Sequence, residues 1–161
     1  MIKCGLVGWK NSGKTFVAQK LIRHFSKLNF NVASIKHAHH NFQIDQPGTD
    51  SFFHRQAGAQ QIIISSSKRW AKIVEIRNES EKKLDDLLNE VDSADIVIIE
   101  GFKNSPHPKI EIVKENKKNY LFLKLKNIFG IISDKKINTS IPQFKFEDIE
   151  NVANFILNKA K

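Results

Sequence analysis

The densest chemistry in the chain lies in eight residues near its N-terminus: Gly8, Trp9, Lys10, Asn11, Ser12, Gly13, Lys14 and Thr15. Two glycines with four residues between them, followed at once by Lys and Thr, match the phosphate-binding P-loop pattern in full. Each residue type has a reason. Glycines let the backbone turn tightly, so that successive N–H groups converge on one concavity. A helix starting there adds its partial positive charge. The Lys14 ammonium would reach the β- and γ-phosphates of a nucleoside triphosphate, and the Thr15 hydroxyl would ligate Mg²⁺. The expected nucleotide contacts are Gly8, Lys10, Asn11, Ser12, Gly13, Lys14, Thr15 and Phe16. Such a site needs an acidic residue at the end of another apolar strand. Ile96-Val97-Ile98-Ile99-Glu100-Gly101 supplies one. Glu100 is expected to join Thr15 at the metal, directly or through water, or to orient the attacking water, with Lys14 and Glu100 as the catalytic pair.

Lys36-His37-Ala38-His39-His40 follows the second predicted strand. Three histidines in four residues invite a zinc reading. The chain offers no cysteine or further clustered ligand beside them, and Glu100 suits Mg²⁺ better than zinc. The better reading is a mobile switch segment whose basic and imidazole groups face phosphates or an anionic partner.

The elements that must position these groups follow from hydrophobic periodicity. Residues 2–7 predict a buried strand, and 14–28 a helix with Val17, Leu21, Phe25 and Leu28 on one face. Residues 31–36 predict a strand, 50–57 a short helix stopped by Gly58, and 61–65 and 70–76 two strands, the latter antiparallel. Residues 80–91 predict a helix on Leu84, Leu87, Leu88 and Val91, and 96–99 a central parallel strand. Residues 109–113 and 120–125 read as a strand pair joined by a charged turn. A strand at 128–133 and a helix at 146–159 complete the chain. Alternating strands and helices predict an α/β fold: a three-layer P-loop NTPase sandwich, its mostly parallel sheet covered by helices on both faces, with some antiparallel strand additions.

A length of 161 residues with 40% apolar content suits a single nucleotide-binding domain over 1–161. No apolar run approaches the ~20 residues that span a bilayer. The N-terminus enters a strand without a signal-peptide layout, so a cytoplasmic location and no membrane partner are expected. Cys4 is the only cysteine, which excludes an internal disulfide. Lys plus Arg number 26 against 17 acidic residues, a formal charge of +9, and favour anionic ligands. The lysines are scattered and carry no nucleic-acid signature, so nucleic acid is not an expected partner.

Several linked motifs, in order, add a resemblance. Lys36-His37-x-His39-His40, Asp45-x-Pro47-Gly48-x-Asp50-Ser51, Arg55-x-Ala57-Gly58-Ala59, Arg69-Trp70 and Glu100-Gly101-Phe102-Lys103 resemble the molybdopterin-guanine dinucleotide biosynthesis protein B family. The match runs from the first strand to Lys103, about two-thirds of the chain. The resemblance implies a P-loop GTPase-like fold, GTP and Mg²⁺ as cofactors, weak hydrolysis and a homodimer. It also implies an adapter role in molybdenum cofactor biosynthesis, with the molybdopterin guanylyltransferase and molybdopterin as partners. Lys36, His37, His39, Asp45, Asp50, Arg55, Arg69 and Gly101 would line the shared functional face. Arg55 and Arg69 fit equally well as structural groups, pairing with Asp50 or a helix C-terminus.

Two features depart from related proteins. Trp9 stands where deviant P-loops carry an extra lysine, so Lys10 is not assigned a partner-activating role. No Asn-Lys-x-Asp guanine motif is present, and Asp134 is the nearest candidate to accept from guanine N1 and N2. A small metabolite kinase is the competing reading. It would need an arginine-rich lid, whereas the segment between Gly101 and Ile128 is rich in lysine.

Overall fold

The computed structural model describes residues 1–38, 42–78, 80–114 and 119–159. In chain order the elements are β1 (Ile2–Val7), α1 (Lys14–Lys27), β2 (Val32–Lys36), α2 (Asp50–Gln56), β3 (Gln61–Ser65), β4 (Trp70–Val74), α3 (Leu84–Asn89), β5 (Ile96–Glu100), β6 (Lys109–Ile112), β7 (Ile128–Ile132), β8 (Gln143–Phe144) and α4 (Ile149–Lys159). A 3₁₀ turn spans Leu121–Leu123. The chain divides into two compact units, Met1–His37 with Leu84–Lys161, and Ala38–Lys83. Each is described by itself.

The first unit is built on a six-stranded sheet in the order β2-β5-β1-β6-β7-β8, with every neighbouring pair parallel. Parallel neighbours need crossovers, which lay helices on the sheet faces. On one face α1 and α4 pack together over Cys4, Leu6, Ile96, Ile98, Ile110, Ile112 and Ile132. The spacing of Val17, Leu21 and Phe25 on α1 puts all three on that face, and each is fully buried. Such burial stabilises by about 1.5–3 kcal/mol per side chain. On the other face Leu84 and Leu88 of α3 cover Val97 and Ile99, while Tyr120, Phe122 and Ile137 pack on Ile131 and Val113.

Two predicted elements take other forms. The predicted strand at 120–125 is instead the 3₁₀ turn, and it does not pair with β6. Both edges of β6 are already filled, by β1 and β7, so no ladder is open to it. The Glu111 carboxylate organises the turn by accepting the N–H groups of Leu121 at 2.7 Å and Phe122 at 2.8 Å. α3 is shorter than the periodicity predicts. Asp85 and Asp86 occupy its first turn, where the helix dipole favours negative charge, and Lys82 and Lys83, whose charge it disfavours at that end, stay outside the helix. α4 begins at Ile149 rather than 146; ahead of it the Lys145 N–H donates to Asp148 Oδ2 at 3.0 Å and the Phe146 N–H to Asp134 Oδ1 at 3.1 Å.

The second unit holds α2 and the antiparallel pair β3–β4, which forms its own two-stranded sheet. Arg55 donates from Nε to the buried Asp45 carboxylate at 2.9 Å and lies 4.0 Å from Glu75.

Candidate functional site

β1, β2 and β5 all end on one edge of the sheet, and parallel register brings their last residues together. Ile35 lies beside Ile99, Lys36 beside Glu100, and Leu6 beside Glu100. Ligands of open α/β sheets bind at this carboxyl edge. The Gly8–Thr15 loop leaves β1 here. Asn11 at φ 63° and Gly13 at φ 98° adopt left-handed backbone, which curls successive N–H groups inward. Gly13 offers no side chain to cap α1, and the first turn, Lys14-Thr15-Phe16-Val17, is non-acidic. The helix N-terminus therefore keeps its attraction for an anion.

Lys14 folds back on its own loop. Its ammonium donates to the Trp9 carbonyl at 2.9 Å and the Gly8 carbonyl at 3.1 Å. Burial pulls it below the ordinary lysine value; Glu100 raises it, while Lys36 and Lys103 lower it further. The Thr15 hydroxyl donates to Glu100 Oε1 at 2.8 Å. Lys36 Nζ is 3.5 Å from Glu100 Oε2 and 3.5 Å from Thr15 Oγ1. Glu100 thus faces the Lys36 ammonium and interacts with that of Lys14.

The turn after β5 sets this arrangement. The His37 N–H donates to the Glu100 carbonyl at 2.8 Å, and the His37 ring stacks on Phe102 at 4.7 Å. Gly101 has φ 96°, and a Cβ there would lie 2.8 Å from His37 Cβ. Both backbone angle and space exclude a side chain at Gly101.

The first unit therefore brings together Gly8, Gly13, Lys14, Thr15, Lys36, His37, Glu100 and Gly101. Ser12 is buried, and its Oγ has no partner among the described residues. Lys10 and Asn11 lie on the opposite flank of the loop, in a depression shared with Trp9, Lys114, Asn119 and Tyr120. Phe16 is half exposed on α1, under the Lys20 ammonium at 4.5 Å. Asp134 follows β7, and its Oδ1 accepts the Phe146 N–H at 3.1 Å. The Phe146 ring in turn lies 3.1 Å from where a Gly13 Cβ would stand, which links Asp134 to the loop through one residue.

Asp45, Asp50, Arg55 and Arg69 belong to the second unit. There Arg55 pairs with Asp45 and Glu75 rather than with Asp50. Asp50 opens α2, and the Arg69 carbonyl closes the β3–β4 turn by accepting the Ser66 N–H. His39 and His40 lie outside the described residues. Lys103 and Phe146 are additions to the expected set. Lys103 sits 5.7 Å over the Trp9 ring, and its place in Glu100-Gly101-Phe102-Lys103 was the one available signal. Phe146 has no motif around it.

The donor set fits a hard divalent cation. A hydroxyl and a carboxylate oxygen 2.8 Å apart are oxygen ligands of the kind Mg²⁺ uses alongside phosphates and water. Among the described residues no group of three or more His, Cys, Asp or Glu could hold a metal ion.

The model of the family described as molybdopterin guanine dinucleotide synthesis protein B matches residues 4–134, which reaches past Lys103 to Asp134. The molybdopterin-guanine dinucleotide biosynthesis adapter protein of Escherichia coli (strain K12) is 31% identical over 154 residues, 92% of this chain and 87% of that protein. Its counterpart from Haemophilus influenzae is 32% identical over 158 residues, 96% of this chain and 86% of that protein. Among solved structures, a MobB homolog from Bacillus stearothermophilus shares the fold at TM-score 0.77 and 21% identity, covering 99% of this chain and 98% of that one. Bacillus subtilis MobB does so at TM-score 0.76 and 25% identity, over 100% and 99% of the two chains. The chain belongs to the molybdopterin guanine dinucleotide synthesis protein B family.

Proposed function

We propose that this chain is a GTP-binding adapter with weak Mg²⁺-dependent GTPase activity that assists the formation of molybdopterin guanine dinucleotide in the cytoplasm. The observation that carries the phosphate part is the Lys14 ammonium. It is held on loop carbonyls at an uncapped helix N-terminus, with Lys36 and Lys103 adding positive charge around it. A polyphosphate would exchange those carbonyls for charged oxygens, which make stronger bonds. Thr15 and Glu100 are the residues that would hold Mg²⁺, which supplies charge neutralisation between phosphate oxygens. The adapter part rests on the relatives, which carry that name at about one-third identity over most of their length. In this reading the acting enzyme is the molybdopterin guanylyltransferase, and molybdopterin is the second ligand. Guanine selection falls to Asp134, whose Oδ1 is engaged by a backbone N–H and whose second oxygen is available to a base. Slow turnover agrees with the groups around Thr15, which are Lys14, Lys36 and Glu100, with no glutamine to orient water among the described residues there.

A homodimer belongs to the same proposal. An isolated two-stranded hairpin is marginal in water, and β3–β4 leaves Ile63 and Trp70 more than two-thirds exposed. A second copy is the partner this apolar surface suits. Sedimentation velocity reads the mass directly, and a monomer at tens of micromolar removes the dimer. Titration calorimetry with Mg²⁺ tests the main reading. GTP should bind, and ATP should compete poorly. No heat with either nucleotide refutes the phosphate site, and equal affinities refute the guanine assignment to Asp134.

A further inference from the structure

Lys36 stands where the proposed function needs a metal. It is the last residue of β2, in register with Glu100 at the end of β5. Its ammonium lies against the pair given to Mg²⁺, 3.5 Å from Thr15 Oγ1 and 3.5 Å from Oε2 of the same Glu100 carboxylate whose Oε1 accepts from Thr15. Those donors are already joined by the Thr15 O–H bond to Glu100 at 2.8 Å, so the pair is assembled around a protein cation. The backbone beneath Lys36 is fixed, since the following N–H, of His37, donates to the Glu100 carbonyl. Its side chain is free to swing, being 59% exposed against 13% for Glu100.

A divalent cation brought onto Thr15 and Glu100 repels an ammonium held against the same hydroxyl and carboxylate, because like charges repel at contact distance. When Thr15 and Glu100 take up Mg²⁺, the Lys36 ammonium must leave them. A lysine on a flexible stem then needs another anionic acceptor within reach. Lys14 lies in the field of Glu100, Lys36 and Lys103, and the group that enters this positive cluster is the polyphosphate. We propose that Lys36 is a specificity-determining residue. In the nucleotide-free protein it is the counter-ion of Glu100 and Thr15. On binding it transfers to the γ-phosphate, so that the site prefers a nucleoside triphosphate to a diphosphate. A diphosphate has no γ-phosphate to receive the displaced ammonium, and the exchange goes uncompensated.

This inference rests on the proposed function and deepens it. The test is calorimetry with Mg²⁺ on the full chain, using GDP and a non-hydrolysable GTP analogue with wild type, Lys36→Met and Lys36→Arg. In wild type the analogue should bind more tightly than GDP. Lys36→Met should weaken the analogue about tenfold or more, the worth of one charge-assisted hydrogen bond, and should not weaken GDP, which no longer has to displace an ammonium. Lys36→Arg should restore most of the preference. Equal weakening of both ligands, or an unchanged ratio, overturns the role given to Lys36 while leaving the phosphate site standing. If wild type binds neither ligand, the proposed function fails first and this inference falls with it.

Discussion

Lys14 donates two hydrogen bonds to loop carbonyls, of Gly8 and Trp9, and a polyphosphate would replace both. Lys14→Ala should lower triphosphate affinity on the order of 100-fold through lost charge-assisted bonds, while the melting temperature moves by only a few degrees. Calorimetry beside a thermal melt separates the two effects, and unchanged affinity removes Lys14 from the site. The residues of this loop were legible because spacing along the chain is itself the motif. Glu100 was legible because a carboxylate closing a fully apolar strand is unusual. The contact of Lys36 with both Thr15 and Glu100 was not, since it depends on which strands are neighbours, and β2 and β5 are far apart in sequence. Arg55 shows the same limit. Local spacing offered Asp50 as its partner, and the structure supplies Asp45 and Glu75.

At the scale of elements, β6 shows how a pattern can mislead. Lys109-Ile110-Glu111-Ile112 alternates like a strand with one wet face, yet all four residues are buried. Strand order decides this, because a central parallel strand is covered on both sides. Glu111 is then spent on the backbone, capping the 3₁₀ turn through two N–H groups. That is also why the apolar alternation at 120–125 cannot become a strand. The turn in turn holds Tyr120 and Phe122 stacked at 5.2 Å over β7. Glu111→Ala leaves the Leu121 and Phe122 N–H groups without their acceptor and should cost about 2–4 kcal/mol of folding stability. Glu111→Gln keeps one carbonyl acceptor and should cost less than half as much. Denaturant titration checks both, and equal stability of Glu111→Ala and wild type would mean that the turn holds without this cap.

For the whole molecule, the strand order β2-β5-β1-β6-β7-β8 was beyond the reach of periodicity, although the alternation of strands and helices did indicate a parallel sheet. The order has a consequence at the sheet's second face, between α3 and the 3₁₀ turn. There His107 lies over β1, its ring where a Gly5 Cβ would stand, so that only glycine fits beneath it. The ring is buried, and neither nitrogen has a partner among the described residues. Burial first, then Lys109 and Lys3, lower its pKa from 6.5 to about 4, with Asp85 opposing them. Below pH 6.5 the unfolded chain takes up the proton that the folded chain refuses. Stability is therefore full above pH 6.5, falls as pH drops toward 4, and loses nothing further from this group below that. Glu111, whose carboxyl is raised by burial, acts in the opposite sense over the neighbouring acid range, so wild type is best compared with a variant that keeps it. His107→Phe preserves a ring over Gly5 and removes the titration. Between pH 7 and 4 wild type should lose about 2–3 kcal/mol more than His107→Phe, the order expected for a shift of this size. Denaturant titrations at several pH values provide the comparison, and parallel profiles for the two proteins would show that His107 protonates in the folded chain as easily as in the unfolded one.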